Sequence, residues 1–132
     1  MKKKVKKKWL KALETGEVAG NPVEQIRGQL RDDQTEGVLG LCCLGVLTEL
    51  AVEDGVIEPG LLQSNGSYTY TDKSKEEGAG VWFGVLPLDV RRWAGLTDTE
   101  SDPKMGRRRA TVWNDTECKT FPEIAELVKE HL

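Results

Sequence analysis

The sequence predicts a single α+β domain, in which about four helices pack with a small antiparallel sheet. Amphipathic helical stretches lie near both ends and in the middle of the chain, and a stretch of polar–apolar alternation beside a turn signal lies among them. The chain has 132 residues, of which 38% are hydrophobic and 31% charged. This length suits one domain with one modest core, so we assign residues 1–132 to a single domain.

The first predicted element is an amphipathic helix. Val5, Trp9 and Leu13 recur at intervals of four residues, and Gly16 supplies a left-handed stop. Six of the 19 basic residues are lysines in a basic N-terminal extension at residues 1–8, which leaves 13 basic against 22 acidic side chains in the remainder. A lysine run can contact phosphates, but the acidic remainder argues against general nucleic-acid binding and favours a solvated helix start.

A second helix is predicted from Leu44, because Leu44, Leu47 and Leu50 follow a helical spacing and Gly55 ends the pattern. The preceding region is rich in Gly, Asp and Gln. Asn21–Pro22 predicts a turn there, and the segment VEQIRGQLR suits either a short helix or a strand.

A strand pair is predicted after this helix. Residues 64–67 form a turn signal, and Tyr68 and Tyr70 alternate with small polar residues, as in a half-exposed strand. Residues 81–85 are the expected partner strand. The polar segment DKSKEEGAG between the two is expected to be a surface loop.

Two further helices are predicted near the C-terminus. Pro87 opens the first and Gly95 ends it, and residues 110–115 suit a short strand or a helical turn. Thr120 caps the last helix, and Glu123 completes a capping box. The apolar stripe of this helix consists of Phe121, Ile124, Leu127 and Val128.

The longest apolar run, residues 38–47, is interrupted by Gly40 and Gly45 and is too short to span a bilayer. The lysine-rich start lacks the apolar segment of a signal peptide. We therefore expect a cytoplasmic protein without membrane contact.

The cysteines and the single histidine match no metal or catalytic pattern. Cys42 and Cys43 are adjacent, whereas zinc sites space their sulfurs by about two to four residues. His131 is the penultimate residue and a poor base for a nucleophilic thiolate. We expect Cys42 and Cys43 to pack as small hydrophobes, and no metal or cofactor. Phosphate-binding glycine signatures and hydrolase motifs are also missing, which favours a non-catalytic protein.

The start of the second helix is a candidate anion site. If the helix begins near Cys43, its free amide groups face an anion, and Gly45 permits close approach of a ligand or of another backbone segment. Arg27, Gln29 and Arg31 lie just upstream, where two guanidinium groups suit a phosphate. Surface ion pairs are the alternative role for these arginines.

Aromatic and amide side chains complete the candidate ligand site. Trp82 and Trp113 lie beside polar loops, where a ring can stack on a base, although core packing is the alternative for each. Asn114 and Asp115 suit either a turn or the reading of a sugar hydroxyl. Residues 107–109 are three arginines, which suit a solvated loop, a phosphate or an acidic partner.

Several segments together resemble a family of small proteins encoded by tailed bacteriophages: WLKALETGEV, GQLR, LCCLGVLTELA, LPLDVRRWAGL and WNDTECKTFPEIAELVKEHL. That family reads W-x-x-A-L-x-S-G, then L-R, C-C-L-G-V-L, L-P…W-x-G-L and L-N-D…T-F-x-E-I-A. The resemblance covers most of the chain outside residues 56–80 and 97–109. The chain departs from the pattern at Thr15, where the family often has Ser, and at Trp113, where it often has Leu.

The resemblance implies a phage origin, a compact α+β fold and an accessory role carried out by binding. We therefore expect an anti-defence sponge that sequesters a nucleotide-derived immune signal, such as a cyclic ADP-ribose relative made by Thoeris or CBASS systems. We expect the pocket at a subunit interface of a homo-oligomer. The alternatives are a protein–protein inhibitor of a host defence or nucleic-acid-processing enzyme and, less favoured, a small nucleotide hydrolase.

Overall fold

A computed structural model describes residues 1–33 and 37–132. The chain folds as a mixed α+β domain, as the sequence predicts. The helices are α1 (Lys3–Thr15), α2 (Cys43–Glu53), α3 (Leu88–Ala94) and α4 (Phe121–His131), with a π-helical turn at Val112–Thr116. None of the described helices is long and apolar enough to cross a membrane.

Short strands form three small sheets among the described residues. The strands are β1 (Glu17–Val18), β2 (Asn21–Gln25), β3 (Arg31–Asp32), β4 (Leu39–Leu41), β5 (Leu61–Leu62), β6 (Tyr68–Thr71), β7 (Val81–Trp82), β8 (Lys104–Met105) and β9 (Arg108–Arg109). The four-stranded sheet has the order β1-β2-β4-β3, the second sheet has the order β5-β6-β7, and β8 pairs with β9. All pairs are antiparallel except β2 with β4, which is parallel.

The fold corrects one local prediction and decides between the alternatives left open for two other segments. Residues Asn21–Pro22 begin β2 and are not a turn, because positive φ angles at Ala19 (54°) and Gly20 (78°) place the turn just before them. The segment VEQIRGQLR, for which the sequence allowed a short helix or a strand, begins as part of strand β2. Residues 110–115 are helical, since the π-helical turn covers most of them.

The helix ends follow the sequence signals closely. Gly16 ends α1 and Gly95 ends α3, both in the left-handed conformation. Thr120 accepts a hydrogen bond from the amide of Glu123, whose side chain completes the capping box of α4. These signals act within a few residues, which is why the sequence alone predicts them.

The lysine-rich segment at residues 1–8 forms most of the first two turns of α1. Val5 is buried among the core side chains, and the amide of Lys2 donates to the carbonyl of Ala94 at 2.9 Å. Most of the lysine side chains therefore lie on the solvent-facing side of a helix that packs against α2 and α4.

The core centres on α2, whose first six residues are all buried. Trp9 is fully buried on α1 and donates its indole N–H to the carbonyl of Cys43 at 3.0 Å. The segment before β3 crosses the first turn of α2, where the carbonyl of Leu30 accepts from the amide of Cys42 at 3.2 Å. A Cβ atom at Gly45 would overlap that carbonyl oxygen. Gly45 is thus required for a close approach of two backbone segments.

We expect Gly45→Ala to lower the free energy of unfolding by about 3 kcal/mol, because Leu30 is buried backbone that cannot move aside freely. Urea denaturation followed by circular dichroism measures this change. Gly80→Ala is the control, since a Cβ there meets open space, and we expect a change below about 1 kcal/mol. Equal effects of the two substitutions would contradict the close approach.

Candidate functional site

The sequence-predicted ligand residues are dispersed over the fold and do not form one pocket. Cys43, Gly45, Asn114 and Asp115 lie at the start of α2, whereas Arg31, Trp82 and Trp113 each belong to a separate cluster. Arg27 is exposed and Gln29 half-buried, and no hydrogen bond or salt bridge joins either one to the start of α2 in the described part of the chain.

Asn114 is the side chain that holds the start of α2. It is buried, and its Oδ1 atom accepts from the amide of Cys43 at 3.1 Å and from Nε2 of Gln25 at 2.9 Å. Its Nδ2 atom donates to the carbonyl of Ile26 and to a carboxylate oxygen of Asp115, both at 2.8 Å. One amide thereby joins α2, the end of β2 and the π-helical turn.

The contacts at this helix end do not favour the predicted anion site. The amide of Cys43 is bonded to Asn114, and the amide of Gly45 donates to the sulfur of Cys42 at 3.4 Å. The Leu30 backbone fills the space beside Gly45. Cys43, Gly45 and Asn114 are therefore structural here.

We expect Asn114→Ala to lower the free energy of unfolding by about 2–3 kcal/mol, because it leaves the buried amide of Cys43 and the part-buried carbonyl of Ile26 without partners. Chemical denaturation measures the loss. Asn21→Ala removes an exposed amide with one long hydrogen bond, 3.4 Å to Ala19, and should change stability by less than about 0.5 kcal/mol. A neutral Asn114→Ala would show that another group caps α2.

The expectation that the adjacent cysteines pack in the core is confirmed. Both Cys42 and Cys43 are buried, whereas Cys118 is exposed. Burial raises the pKa of Cys42 to about 12 and raises the pKa of Cys43 well above its usual value. Because the thiolate is the reactive form, these two thiols are protected chemically as well as sterically.

We expect native alkylation with iodoacetamide at pH 8 to modify Cys118 only, with all three thiols reacting after denaturation. The folded-state pKa of Cys42 lies above the ordinary thiol value, so its thiolate stays scarce until the pH approaches 12. Mass spectrometry counts the adducts, and Cys118→Ser should abolish native labelling. Rapid labelling of a second thiol would contradict the burial of Cys42 and Cys43.

Arg31 is already paired with carboxylates. Its guanidinium contacts both oxygens of Asp33, at 2.6 and 3.2 Å, and Oε1 of Glu49 at 2.9 Å. It also lies 4.2 Å above the ring of Tyr68, and Glu49 accepts a second hydrogen bond from the hydroxyl of Tyr70. Burial lowers the pKa of Arg31, but Asp33 and Glu49 outweigh that effect and raise it above its usual value. Arg31 therefore has the alternative role, that of an ion-pair partner, because two carboxylates already compensate its charge.

Trp82 is also engaged within the fold. Its indole N–H donates to Asp72 at 2.7 Å, and the guanidinium of Arg91 lies 4.5 Å from the centre of its ring. Asp72 is buried and accepts from the amide of Asp89 at 2.9 Å, in the first turn of α3. Trp82 therefore packs the β6–β7 strand pair against α3.

A surface cavity of about 420 Å³ lies between the β8–β9 hairpin and α4, with Trp113 in its wall. The indole N–H of Trp113 donates to the carbonyl of Met105 at 2.8 Å, which fixes the ring. The guanidinium of Arg107, at the hairpin turn, lies 5.1 Å from the ring centre. The lining residues are Arg107, Trp113, Glu117, Lys119, Glu123, Glu126, Leu127 and Glu130.

Charges around this cavity are mostly compensated. Salt bridges join Glu117 with Arg108 at 3.5 Å, Glu123 with Lys119 at 3.7 Å and Glu126 with Lys129 at 3.0 Å. Within the described part of the chain, Arg107 has no carboxylate partner within 4.0 Å and is exposed. Arg107 is thus the cation of this site that can move toward a ligand without losing a salt bridge.

This cavity is the candidate functional site. The sequence indicated Trp113 and the arginines at 107–109 separately, and the fold brings Trp113 and Arg107 into contact. Sequence reasoning did not identify Lys119 or the glutamates of α4 as site residues. For the glutamates, the only signal in the sequence is that they share one face of the predicted helix. Among the described residues, no group of three His, Cys, Asp or Glu side chains is placed to hold a metal ion.

The fold and this cavity define a small α+β protein with a tryptophan-walled surface pocket between a basic hairpin and an acidic helix. A family model, described as a domain of unknown function (DUF8296), matches residues 1–132, and the chain belongs to that family. No curated protein and no solved structure matches the chain.

Proposed function

We propose that this protein is a non-catalytic, phage-encoded anti-defence protein that sequesters a nucleotide-derived immune signal in the host cytoplasm. The observation that carries the proposal is the Arg107–Trp113 pair in the wall of a cavity of about 420 Å³. That volume lies within the range of about 300–1,000 Å³ typical of small-molecule sites. A relative of cyclic ADP-ribose is the class of ligand that we favour.

The indole of Trp113 provides the stacking surface for a base. Its N–H bond to Met105 holds the ring in place, so stacking costs little side-chain entropy. Stacking of a base on an aromatic side chain contributes about 1–3 kcal/mol. Trp113 is buried, with 6% of its surface exposed. Arg107 therefore has to leave the ring face before a base can stack there, which the exposed position of Arg107 permits.

The displaced guanidinium then becomes the phosphate ligand. Arg107 can form two parallel hydrogen bonds to a phosphate, and Lys119 lines the same cavity as a second cation. The glutamates of α4 offer acceptors to ribose hydroxyls and disfavour a ligand with many phosphates. These charges suit a ligand with one or two phosphates.

A protein–protein inhibitor is the second candidate function, and the same helix favours it. Glu123, Glu126 and Glu130 lie at spacings of three and four residues on α4, and Glu117 lies beside them in the cavity wall. Such a carboxylate row suits a basic surface of a host enzyme. Capture of one stoichiometric host protein, with no small molecule bound, would favour this candidate.

We expect Arg107→Gln to weaken binding of the signal about tenfold or more, because a charged hydrogen bond to phosphate is lost. Isothermal titration calorimetry with ADP-ribose, cyclic ADP-ribose and cyclic dinucleotides measures this effect. Trp113→Leu should also weaken binding, whereas Trp113→Phe should retain most of it. Arg27→Gln is the matched control, an exposed arginine outside the cavity, and should bind like the unmodified protein.

Native mass spectrometry of protein purified from cells with an active nucleotide-signalling defence identifies the ligand. A retained mass of a few hundred daltons, released unchanged on denaturation, supports sequestration. A processed nucleotide would instead indicate a hydrolase. If Arg27→Gln weakened binding as much as Arg107→Gln, the cavity beside Trp113 would be the wrong site.

A further inference from the structure

The exposed side of α1 carries a dense set of lysines. Residues 2–11 include seven lysines, and α1 contains no arginine. The opposite side of the helix is buried in the core. Five of the lysines are exposed, namely Lys3, Lys4, Lys7, Lys8 and Lys11. We call these five side chains the lysine face of α1.

This arrangement of charge disfavours the helix itself. Lys3 and Lys4 lie at the positive end of the helix dipole, in a first turn without an acidic residue. Lys3 with Lys7, and Lys7 with Lys11, are like-charged pairs four residues apart, which repel each other on a helix surface. Local preferences are broken in this way at functional surfaces, where another requirement outweighs the stability of the element.

The fold leaves most of this positive charge uncompensated. In the described part of the chain, no salt bridge joins Lys3, Lys7 or Lys11 to a carboxylate. Glu14, the acidic residue of α1, already pairs with Lys129 at 2.9 Å. The potential above the lysine face is therefore positive, and an anionic partner would be attracted to it.

We propose that the lysine face of α1 binds the phosphate backbone of duplex DNA, independently of the base sequence. Lys3, Lys7 and Lys11 follow one another at steps of about 6 Å and span roughly 12 Å along the helix axis. One DNA strand presents roughly three or four phosphates over that length. Lysine side chains bind phosphates as flexible point charges, and contacts to phosphates carry no sequence information.

Membranes and acidic proteins fit this face less well. A helix that binds a membrane surface needs an apolar side that enters the lipid, whereas Val5, Trp9 and Leu13 of α1 are buried in the core. Protein interfaces are depleted in lysine and enriched in aromatic residues and arginine. The lysine face contains neither an aromatic residue nor an arginine.

Among nucleic acids, the face fits duplex DNA better than single strands or RNA. Single strands are held by stacking of bases on aromatic side chains, which the lysine face lacks. Proteins recognise duplex RNA through its 2′-hydroxyl groups, which act as donors and acceptors, and a lysine offers no acceptor. The backbone of duplex DNA requires only the positive charges that are present.

The acidic remainder of the chain weakens this contact without abolishing it. Outside residues 1–8 the chain has 13 basic against 22 acidic side chains, which argues against strong nucleic-acid binding. The Debye length at physiological salt is about 8 Å, so more distant exposed charges are largely screened. Asp54 is compensated by Lys8 at 3.7 Å. We therefore expect a dissociation constant of about 10–100 µM at about 50 mM salt.

This proposal is independent of the nucleotide site. The cavity beside Trp113 is lined by residues 107–130, whereas the lysine face belongs to residues 3–11. Binding of DNA can therefore fail while nucleotide binding persists, and the reverse also holds. The two proposals are tested by separate measurements on the same purified protein.

The test is the fluorescence anisotropy of a labelled DNA duplex of about 20 base pairs, titrated with the full chain between about 50 and 200 mM salt. Contacts to three or four phosphates predict a slope of about −3 when the logarithm of the binding constant is plotted against the logarithm of the salt concentration. The double variant Lys3→Gln/Lys7→Gln should weaken binding about tenfold or more at the lowest salt and should reduce the slope by about two. Circular dichroism confirms that the variant is folded.

Arg27→Gln/Lys75→Gln is the matched control, because it removes the same charge from two exposed cations outside α1. The control should bind the duplex like the unmodified protein. Undetectable binding by the unmodified protein at the lowest salt would overturn the proposal, as would equal affinities of the two double variants. Equal binding to phosphatidylserine vesicles, or equal displacement of the duplex by poly-glutamate, would also overturn it, in favour of a membrane or an acidic protein.

Discussion

The start of α2 is the constraint on which the rest of the structure depends. Three parts of the chain meet there: the Leu30 backbone above Gly45, the Asn114 amide on the helix amide of Cys43, and the Trp9 indole on the Cys43 carbonyl. The Asn114 and Trp9 contacts give hydrogen-bond partners to buried backbone groups of Cys43, and the Leu30 backbone fills the space beside Gly45. Because all three use the first helical turn, its residues have little freedom to bind anything else.

The local structure could be predicted from the sequence, and the long-range contacts could not. Gly16 and Thr120 act on backbone groups within a few residues, so their roles are visible in the sequence. Asn114 caps a helix that lies 71 residues earlier in the chain. An Asn–Asp pair before a capped helix has the same local pattern whether it forms a turn or holds a distant helix. The parallel pairing of β2 with β4 could not be predicted either, because no local sequence pattern identifies the partner of a strand.

The same difference between local patterns and long-range contacts applies to the candidate site. Sequence reasoning found an arginine cluster and a tryptophan, but it did not place them together, because their contact depends on the tight β8–β9 hairpin and on the π-helical turn. It favoured Arg31, whose charge Asp33 and Glu49 compensate in the fold. A charged side chain therefore needs its partners known before it can be assigned to a ligand.

The position of Arg107 over Trp113 has a consequence for selectivity in the proposed complex. A guanidinium resting on an indole ring is stabilised by about 0.5–2 kcal/mol, and any ring that stacks there has to replace that contact. A neutral nucleoside displaces the arginine and gives it no new partner, whereas a nucleotide offers it a phosphate. In the proposed complex, the arginine would thus compete with uncharged aromatic metabolites for the ring and act as a ligand for phosphorylated ones. A single residue of the hairpin turn would separate the signal from the more abundant bases and nucleosides of the cell.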